Sequence, residues 1–401
     1  MKVILGLSGG VDSAVSAYLL KEQGYEVIGV FMKNWDETTG LISGDCPWKQ
    51  DRLDAMKVAA FLDIPFHTYD FSKEYEEEIV NYIFSEYEKG RTPNPDVLCN
   101  PRIKFPMLWK VAKELGAEKI ATGHYVQRSE IRNQRSERLE LGVMESELRD
   151  EGTIYQLLAG KDSSKDQSYF LCQLTQEDLS RSLFPIGHLL KSEVREIAQK
   201  IGLPNAEKRD SQGLCFIGKV DLPTFLQQKL PQKEGPIVLV PRGSIVHSPW
   251  SMENVSKKPQ TTDHRLQTIG THHGAWFFTI GQRKGLDVGG TKQGLYVLGT
   301  DVKTNTVYVG EGEDHPGLFK KTLHVAKDDI HWIREDIKME VGEEREYLVR
   351  IRYRQPLQKA TLEMTSEGLN IHFDEPQRAV TAGQFAAWYD GEELVGSGVI
   401  N

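Results

Sequence analysis

Residues 2–13 read Lys2-Val3-Ile4-Leu5-Gly6-Leu7-Ser8-Gly9-Gly10-Val11-Asp12-Ser13, an apolar run that turns over two adjacent glycines into a helical pattern carried by Ala14, Val15, Tyr18 and Leu19. A strand that feeds a glycine turn and then a helix start is a cradle for phosphate. Adjacent glycines let the backbone approach an anion closely, and Ser8, Ser13 and the first N–H groups of the helix donate to its oxygens. No lysine follows these glycines, so the Walker pattern GxxxxGK[ST] is excluded, and the spacing does not give GxGxxG. Stripped of its surroundings, the same stretch is a Gly-Gly turn with one acid and two hydroxyls.

Working outward, Lys2–Leu7, Glu26–Met32, Phe66–Phe71 and Lys119–Thr122 read as strands, and they alternate with amphipathic helical patterns such as Ser72–Lys89. That alternation predicts βα units and a mostly parallel sheet. From about Pro223 the pattern changes to short β-branched runs with Gly and Pro punctuation, and YLVRIRYR, ATLEM and LNIHF near the end read as alternating strands. The expected fold is α/β: a parallel-sheet nucleotide-binding catalytic domain over residues 1–222, a small mostly-β central domain with an insertion over 223–316, and a C-terminal β-barrel over 317–401. Gln127–Gly152 and Val246–Gly270 read as loops.

The 401 residues suffice for two to three domains, and 39 % hydrophobic with 27 % charged residues is ordinary for a globular protein. Forty-nine Lys and Arg against 58 Asp and Glu leave a net charge of −9, which on composition alone argues mildly against a nucleic-acid partner. The first apolar run is too short for a signal-peptide core or a membrane span, so a cytoplasmic protein with no membrane partner is expected. Cys46, Cys99, Cys172 and Cys215 form no CxxC pair, which points to reduced thiols rather than a disulfide scaffold or a zinc knuckle.

Residues 90–105, GRTPNPDVLCNPRIKF, read as a stiff surface-facing loop that presents Asp96 and Cys99 near enough for the carboxylate to move a proton for the thiol. Far downstream, DSQGLCFIG places Cys215 after a glycine turn. Separated thiols suit a sulfur relay: one carries a persulfide, the other attacks it, and the disulfide left behind is then reduced. The competing reading makes both cysteines small core residues, and for Cys46 and Cys172 that reading is preferred. Arg350, Arg352 and Arg354 alternate with Ile351 and Tyr353, so a strand would set three guanidiniums on one face as a phosphate ladder. Gln282-Arg283-Lys284 is a second, weaker basic turn. Lys165-Asp166-Gln167-Ser168 reads as a capped helix start, and His124 ends a strand where α/β ligand sites lie.

The SGGxDS element resembles that of the PP-loop ATP pyrophosphatases, which hold the pyrophosphate of ATP while its α-phosphate is attacked. Taken with GRTPNPDVLCN, IKF, ATGHY, KDQSYFL, DSQGLCFIG, FFTIGQRKGL, RYRQP and GQFAAWY, the chain resembles the bacterial-type tRNA-specific 2-thiouridylases, the MnmA family, along nearly its whole length. The resemblance implies an N-terminal domain of the adenine nucleotide α-hydrolase kind, with ATP bound by Gly6, Leu7, Ser8, Gly9, Gly10, Val11, Asp12, Ser13, Met32 and Gly123. It makes Cys99 the nucleophile and Cys215 the persulfide carrier. Asn94, Pro95 and Asp96 then face the target base, with Asp96 as general acid or base, and His124, Lys165, Asp166, Gln167, Arg352, Tyr353 and Gln384 contact tRNA. The implied activity is ATP-dependent 2-thiolation of a tRNA wobble uridine, with Mg²⁺ offsetting phosphate charge and Asp12 the single ligand candidate. Sulfur would come from a cysteine desulfurase or a sulfur-relay protein. Three alternatives stay open: an iron–sulfur cluster on Asp96, Cys99 and Cys215 in place of the persulfide, a PP-loop ligase that adenylates a small metabolite, and an ATP-binding sensor without chemistry. The chain departs from the family pattern by extra length in the two loops.

Overall fold

A computed structural model describes residues 1–35, 48–132, 153–210, 215, 221–243 and 266–401. Strands β1 (Lys2–Gly6), β2 (Glu26–Lys33), β3 (Phe66–Asp70) and β4 (Lys119–Ala121) are those read from the sequence to within a residue at each end. After them come an antiparallel hairpin, β5 (Val126–Arg132) and β6 (Thr153–Ala159), and a two-residue strand β7 (Ser182–Leu183). The first sheet has the order β3-β2-β1-β4-β7 and is parallel throughout. Its central strand is apolar at consecutive positions because helices cover both faces, and Val3, Ile4 and Leu5 are each fully buried. The strand order reverses beside β1, which places the ligand crevice at the C-terminal ends of β1 and β4.

The central region is a four-stranded sheet, order β10-β11-β8-β9, made of β8 (Gly235–Leu239), β9 (Gln267–His272), β10 (Leu295–Asp301) and β11 (Thr306–Glu311). The last region comprises β12 (Phe319–Trp332), β13 (Glu344–Arg350), β14 (Gln358–Met364), β15 (Gly368–Arg378), β16 (Phe385–Asp390) and β17 (Glu393–Ile400). These six run β12-β15-β14-β13-β16-β17 and close where β12 pairs back onto β17. Alternation fills the barrel: Ala360, Leu362 and Met364 point inward from β14 while the residues between them are partly exposed. The α/β assignment with a central β region and a C-terminal barrel is thus the observed architecture.

Four readings change. Gln127–Arg132 is strand rather than loop, and so is Gln267–Gly270; residues 133–152 and 244–265 lie outside the described residues, as does Cys46. Residues 95–104 are helical, not a surface loop: Pro95–Cys99 is α-helix, Asn100–Lys104 a π-type turn, and Phe105–Glu114 α-helix again. The prolines misled because Pro95 occupies the first position of the run, where a missing N–H costs nothing, while Pro101 and Pro106 lie inside it, where the hydrogen-bond pattern passes through the wider π-type turn. Residues 222–226 form a short helix within the stretch read as β-rich.

The fourth change concerns the arginine ladder. Strand β13 ends at Arg350, and a turn follows, so Arg350, Arg352 and Arg354 share no face. Arg350 is buried, paired with Asp166 at 3.1 Å and stacked over Tyr389. Arg352 donates to the carbonyls of Arg378 and Ala379, and Arg354 lies over the Tyr353 ring. The alternation with Ile351 and Tyr353 was real in sequence, but the chain turns before it takes effect in space.

The hairpin β5–β6 joins the barrel sheet through β17, with Glu393 opposite Leu158 and Leu394 opposite Leu157. One apolar core accordingly contains Val126, Leu157, Cys172 and Ile103 together with Phe385, Ala387, Tyr389 and Leu394 of the barrel.

Candidate active site: a phosphate cradle and a thiol pair

The cradle forms where β1 ends. Gly9 has φ +79°, a left-handed conformation that only glycine adopts cheaply, and a Cβ there would run into the carbonyl oxygen of Asp51. The hydroxyl of Ser13 accepts from the Ser8 N–H at 3.2 Å and donates to the Gly10 carbonyl at 3.1 Å, which pins the loop to the first turn of the Val11–Glu22 helix. No side chain caps that helix at Gly10, so its N-terminal dipole faces outward for an anion. Gly123 closes the opposite wall: a Cβ there would stand 2.8 Å from the Ser13 nitrogen and 3.0 Å from the Asp12 carbonyl carbon. Gly6 and Leu7 lead into the loop, and Met32 is buried at the end of β2 beside it.

The structure adds a cation that the sequence did not offer. Lys191, the first residue of the Lys191–Ile201 helix, reaches Asp12 at 2.7 Å and Asp210 at 2.8 Å. Tyr125 donates its hydroxyl to Asp12 at 2.6 Å and lies under the Lys191 ammonium. Burial and the neighbouring Asp12 carboxylate push the Tyr125 phenol well above its ordinary range. Asp210 also takes Lys165 at 3.0 Å and Arg195 at 3.1 Å. Burial alone would raise its carboxyl, but hydrogen bonds from Lys191 and Lys165 hold it at about 2. No local signal marked Lys191, because it stands 179 residues from Asp12.

Asp210 leads by covalent chain to Cys215. Five peptide links span at most about 18 Å, so the phosphate cradle and the second thiol are held within one small region. The Cys215 and Cys99 sulfurs lie 3.7 Å apart although they are 116 residues apart in sequence. Asp96 accepts from the Cys215 N–H at 2.8 Å, and Tyr75 donates its hydroxyl to the Cys215 carbonyl at 2.6 Å. Asn94 starts this helix by accepting from the Val97 N–H, so Asp96 and Cys99 are set one turn apart and facing Cys215.

Cys99 is fully buried and Cys215 partly exposed. Desolvation first, then the hydrogen bond to Cys215, pushes the Cys99 thiol well up; that same S–H, donated to Cys215, favours the Cys215 thiolate and lowers its pKa. Desolvation also raises the Asp96 carboxyl, against the pull of the Cys215 N–H and the charge of Lys104. This is a thiol pair beside an acid that is easier to protonate than usual, an arrangement that could exchange sulfur with proton transfer. Cys172, by contrast, is buried with its thiol pushed up to about 12 by desolvation, as a core cysteine should be.

The residues assigned to tRNA fall into two groups. Asp166 and Gln167 face inward: Asp166 accepts from the Gly160 and Ser168 N–H groups and pairs with Arg350, while the Gln167 side-chain amide oxygen Oε1 accepts from the Tyr125 N–H at 3.0 Å. His124 is buried between Thr122 and Lys104 and stacks on Phe105; burial drives its pKa far down, so it is neutral. Lys165 is on the surface above Asp210. Arg352 is exposed, and Tyr353 packs against Phe170 with tilted rings whose centroids are 4.3 Å apart. Gln384 donates to the Thr92 and Pro93 carbonyls at 2.9 and 3.1 Å and accepts from Asn94, which stitches the barrel to the residues before Cys99.

Among the described residues, no three His, Cys, Asp or Glu side chains converge to hold a metal ion. No helix among them is long and apolar enough to cross a membrane.

Three family descriptions match in order: a tRNA methyl transferase HUP domain over residues 1–219, a tRNA methyl transferase PRC-barrel domain over 257–311, and an aminomethyltransferase β-barrel domain over 322–400. The chain is 56 % identical over its full length to all of the tRNA-specific 2-thiouridylase MnmA of Flavobacterium johnsoniae. It is 55 % identical, again over all of both chains, to that of Christiangramia forsetii. With that of Halalkalibacterium halodurans the identity is 42 %, covering all of this chain and 94 % of the other. A phosphate cradle, a thiol pair and three domain matches in one order therefore come together in a chain that belongs to the tRNA-specific 2-thiouridylase (MnmA) family.

Proposed function

We propose that this protein is an ATP-dependent tRNA sulfurtransferase that converts the O2 carbonyl of a wobble uridine to a thiocarbonyl. The observation that carries the reading is the 3.7 Å approach of Cys99 and Cys215 beside Asp96, on the same domain as the phosphate cradle. ATP sits with its phosphates against Ser8–Ser13 and Gly123, Met32 lies on the nucleotide side, and Lys191 supplies the positive charge that a Walker loop would take from its own lysine. Uracil O2 attacks the α-phosphorus, pyrophosphate leaves, and the base is adenylated.

A persulfide on Cys215, delivered by a cysteine desulfurase or relay protein, then provides sulfur. The Cys99 thiolate attacks the inner sulfur of Cys215–S–SH, which forms the Cys99–Cys215 disulfide and expels hydrosulfide. Hydrosulfide attacks C2, AMP departs, and an external dithiol reduces the disulfide. Asp96 moves protons between Cys99 and the base, which Asn94 and Pro95 face from the start of the same helix. Lys165, Arg352 and Tyr353 form the outward tRNA contacts, whereas His124, Asp166, Gln167 and Gln384 hold the elements that carry them.

Mg²⁺ is expected to travel with the nucleotide. The Asp12 carboxylate is already engaged by Lys191 and Tyr125, and the described residues build no resident metal cage, so no step relies on one. The same geometry favours the persulfide over a cluster on Asp96, Cys99 and Cys215, since Asp96 is turned to the Cys215 N–H and the two sulfurs face each other. The test is to incubate unmodified tRNA with the protein, ATP, Mg²⁺ and a persulfide donor, then analyse nucleosides by mass spectrometry. Absence of an oxygen-to-sulfur mass change in uridine would sink the reading.

A further inference from the structure

The three domains meet at a seam that the sulfur chemistry does not use. Thr92 borders it from the catalytic domain, Phe278, Ile280 and Thr300 from the central domain, and Lys320 and Val380 from the barrel region, around a hollow of about 420 Å³ counted out to its open side. Hydrogen bonds hold the seam together: the Thr92 N–H donates to the Ala382 carbonyl at 2.9 Å, and the Thr92 and Thr279 hydroxyls lie 3.3 Å apart.

One charge in this hollow is unbalanced. Other cations that the fold draws out of water are compensated: Arg334 pairs with Asp336 and Glu393, each at 2.7 Å, Lys208 with Asp51 and Asp54, each at 2.7 Å, and Arg352 reaches two carbonyl oxygens. Lys320, the second residue of β12, is partly buried and has neither a carboxylate nor a hydrogen-bond acceptor among the described residues. Burial alone draws its pKa down, and no acidic neighbour opposes the shift. Thr300 is 4 % exposed, and its hydroxyl likewise has no hydrogen-bond partner among the described residues. A withdrawn ammonium and an unpaired hydroxyl lining one hollow both cost free energy until an anion meets them.

Lys320 is the only charged side chain among those lining the hollow, so a group of single negative charge balances it and a doubly charged free phosphate does not. The place of the hollow narrows the choice further. Thr92 stands two residues before Asn94, at most about 7 Å along the chain. Gln384 holds both, donating to the Thr92 carbonyl at 2.9 Å and accepting from Asn94 at 3.2 Å.

We propose that the seam receives one phosphodiester of the RNA strand next to the target base, with the Lys320 ammonium as its counter-charge and the Thr300 and Thr92 hydroxyls as donors to its oxygens. The inference rests on the tRNA reading. Phe278, Ile280 and Val380 form apolar walls that limit screening by water, so this contact weighs more than one on an open face.

The experiment measures binding and needs no turnover. Unmodified tRNA is titrated with full-length protein over about 50–200 mM KCl and followed by fluorescence anisotropy. The expected result is a log–log salt slope that flattens by about 0.7–0.9 in Lys320→Met and is kept in Lys320→Arg. Thr300→Val, equal in shape, should weaken binding about two- to fivefold with the slope kept, which tests the site even if Lys320→Met does not fold. An anticodon stem-loop with one uncharged methylphosphonate link, placed in turn on either side of the target uridine, locates the contact. One link should cost the wild type about three- to tenfold in affinity and cost Lys320→Met nothing. A slope unchanged in Lys320→Met, a link penalty that persists in it, or undiminished binding by Thr300→Val overturns the proposal. Wild-type protein that binds no tRNA refutes the tRNA reading itself, whereas intact wild-type binding with these variants unaffected refutes the seam alone.

Discussion

Oxidation without an external reductant should trap the enzyme in one specific covalent state. The Cys99 and Cys215 sulfurs are 3.7 Å apart, so they need to close by about 1.7 Å to reach the S–S bond length. Because Cys215 is partly exposed and its sulfur faces that of Cys99, a mild oxidant such as diamide should link the pair in preference to buried Cys172. The bond would close a loop over residues 116 apart, and the chain-entropy account puts its largest stabilisation at about 4.8 kcal/mol. Geometric strain in the native state reduces that figure. The assay is tryptic mapping under non-reducing conditions, together with urea unfolding followed by tryptophan fluorescence. The expected outcome is a single Cys99–Cys215 peptide pair and a urea midpoint that rises on oxidation and falls back with dithiothreitol, with no rise in Cys99→Ser. In the full reaction, an enzyme deprived of reductant makes one thiouridine per active site and stops. Cross-links that involve Cys172, or turnover that continues without reductant, would refute the two-thiol relay.

Three further outcomes follow from the same geometry. Gly123→Ala puts a methyl against the Ser13 and Asp12 backbone, an overpacking of about 1–3 kcal/mol, so calorimetric titration with a non-hydrolysable ATP analogue should show affinity reduced about tenfold or more; Gly289→Ala, which meets only open space, should leave it unchanged. Asp210 is held at about 2, below its ordinary value near 4, so it stabilises the fold above pH 4, and that contribution is lost as pH falls from about 4 to about 2. Near-UV circular dichroism on acid titration should show the transition at higher pH in Lys191→Met, and no such displacement when Lys191→Met is made in an Asp210→Asn background. Gln384→Ala removes the bonds to Thr92, Pro93 and Asn94 at a cost of about 1–3 kcal/mol, and limited proteolysis should then cut sooner between residues 88 and 95 while ATP affinity stays unchanged.

The parts legible in the sequence were those whose physics is local. Strand β1, the Gly9-Gly10 turn and the helix after it are consecutive, and each announces itself by composition. The barrel strands β14 and β15 showed their alternation for the same reason. Cys99 and Cys215 were paired by chemistry and resemblance rather than by any signal of distance. What stayed hidden depends on contacts across the chain. Lys191 carried no sequence signal of its own, and its role emerges only where the Lys191–Ile201 helix sets it against Asp12. Arg350 looked like surface charge until Asp166, 184 positions earlier in the sequence, was found opposite it in the interior. Around Cys99 the error was of another kind: Pro95 is harmless at the first turn of a helix, and Pro101 and Pro106 are carried inside the run where its hydrogen-bond pattern changes to a π-type turn.

The sheet that joins hairpin β5–β6 to β17 also sets an order of events during synthesis. The β6 edge leaves the ribosome more than two hundred residues before its partner Glu393–Leu394 exists. At about 5–20 residues per second, that edge waits roughly 10–45 s with its N–H and C=O groups uncovered. The nascent catalytic domain is therefore exposed to strand-to-strand association until the last eight-residue strand arrives to cover it. A chain truncated before β17 would carry the uncovered edge permanently, and aggregation rather than loss of sulfur chemistry would be its first defect.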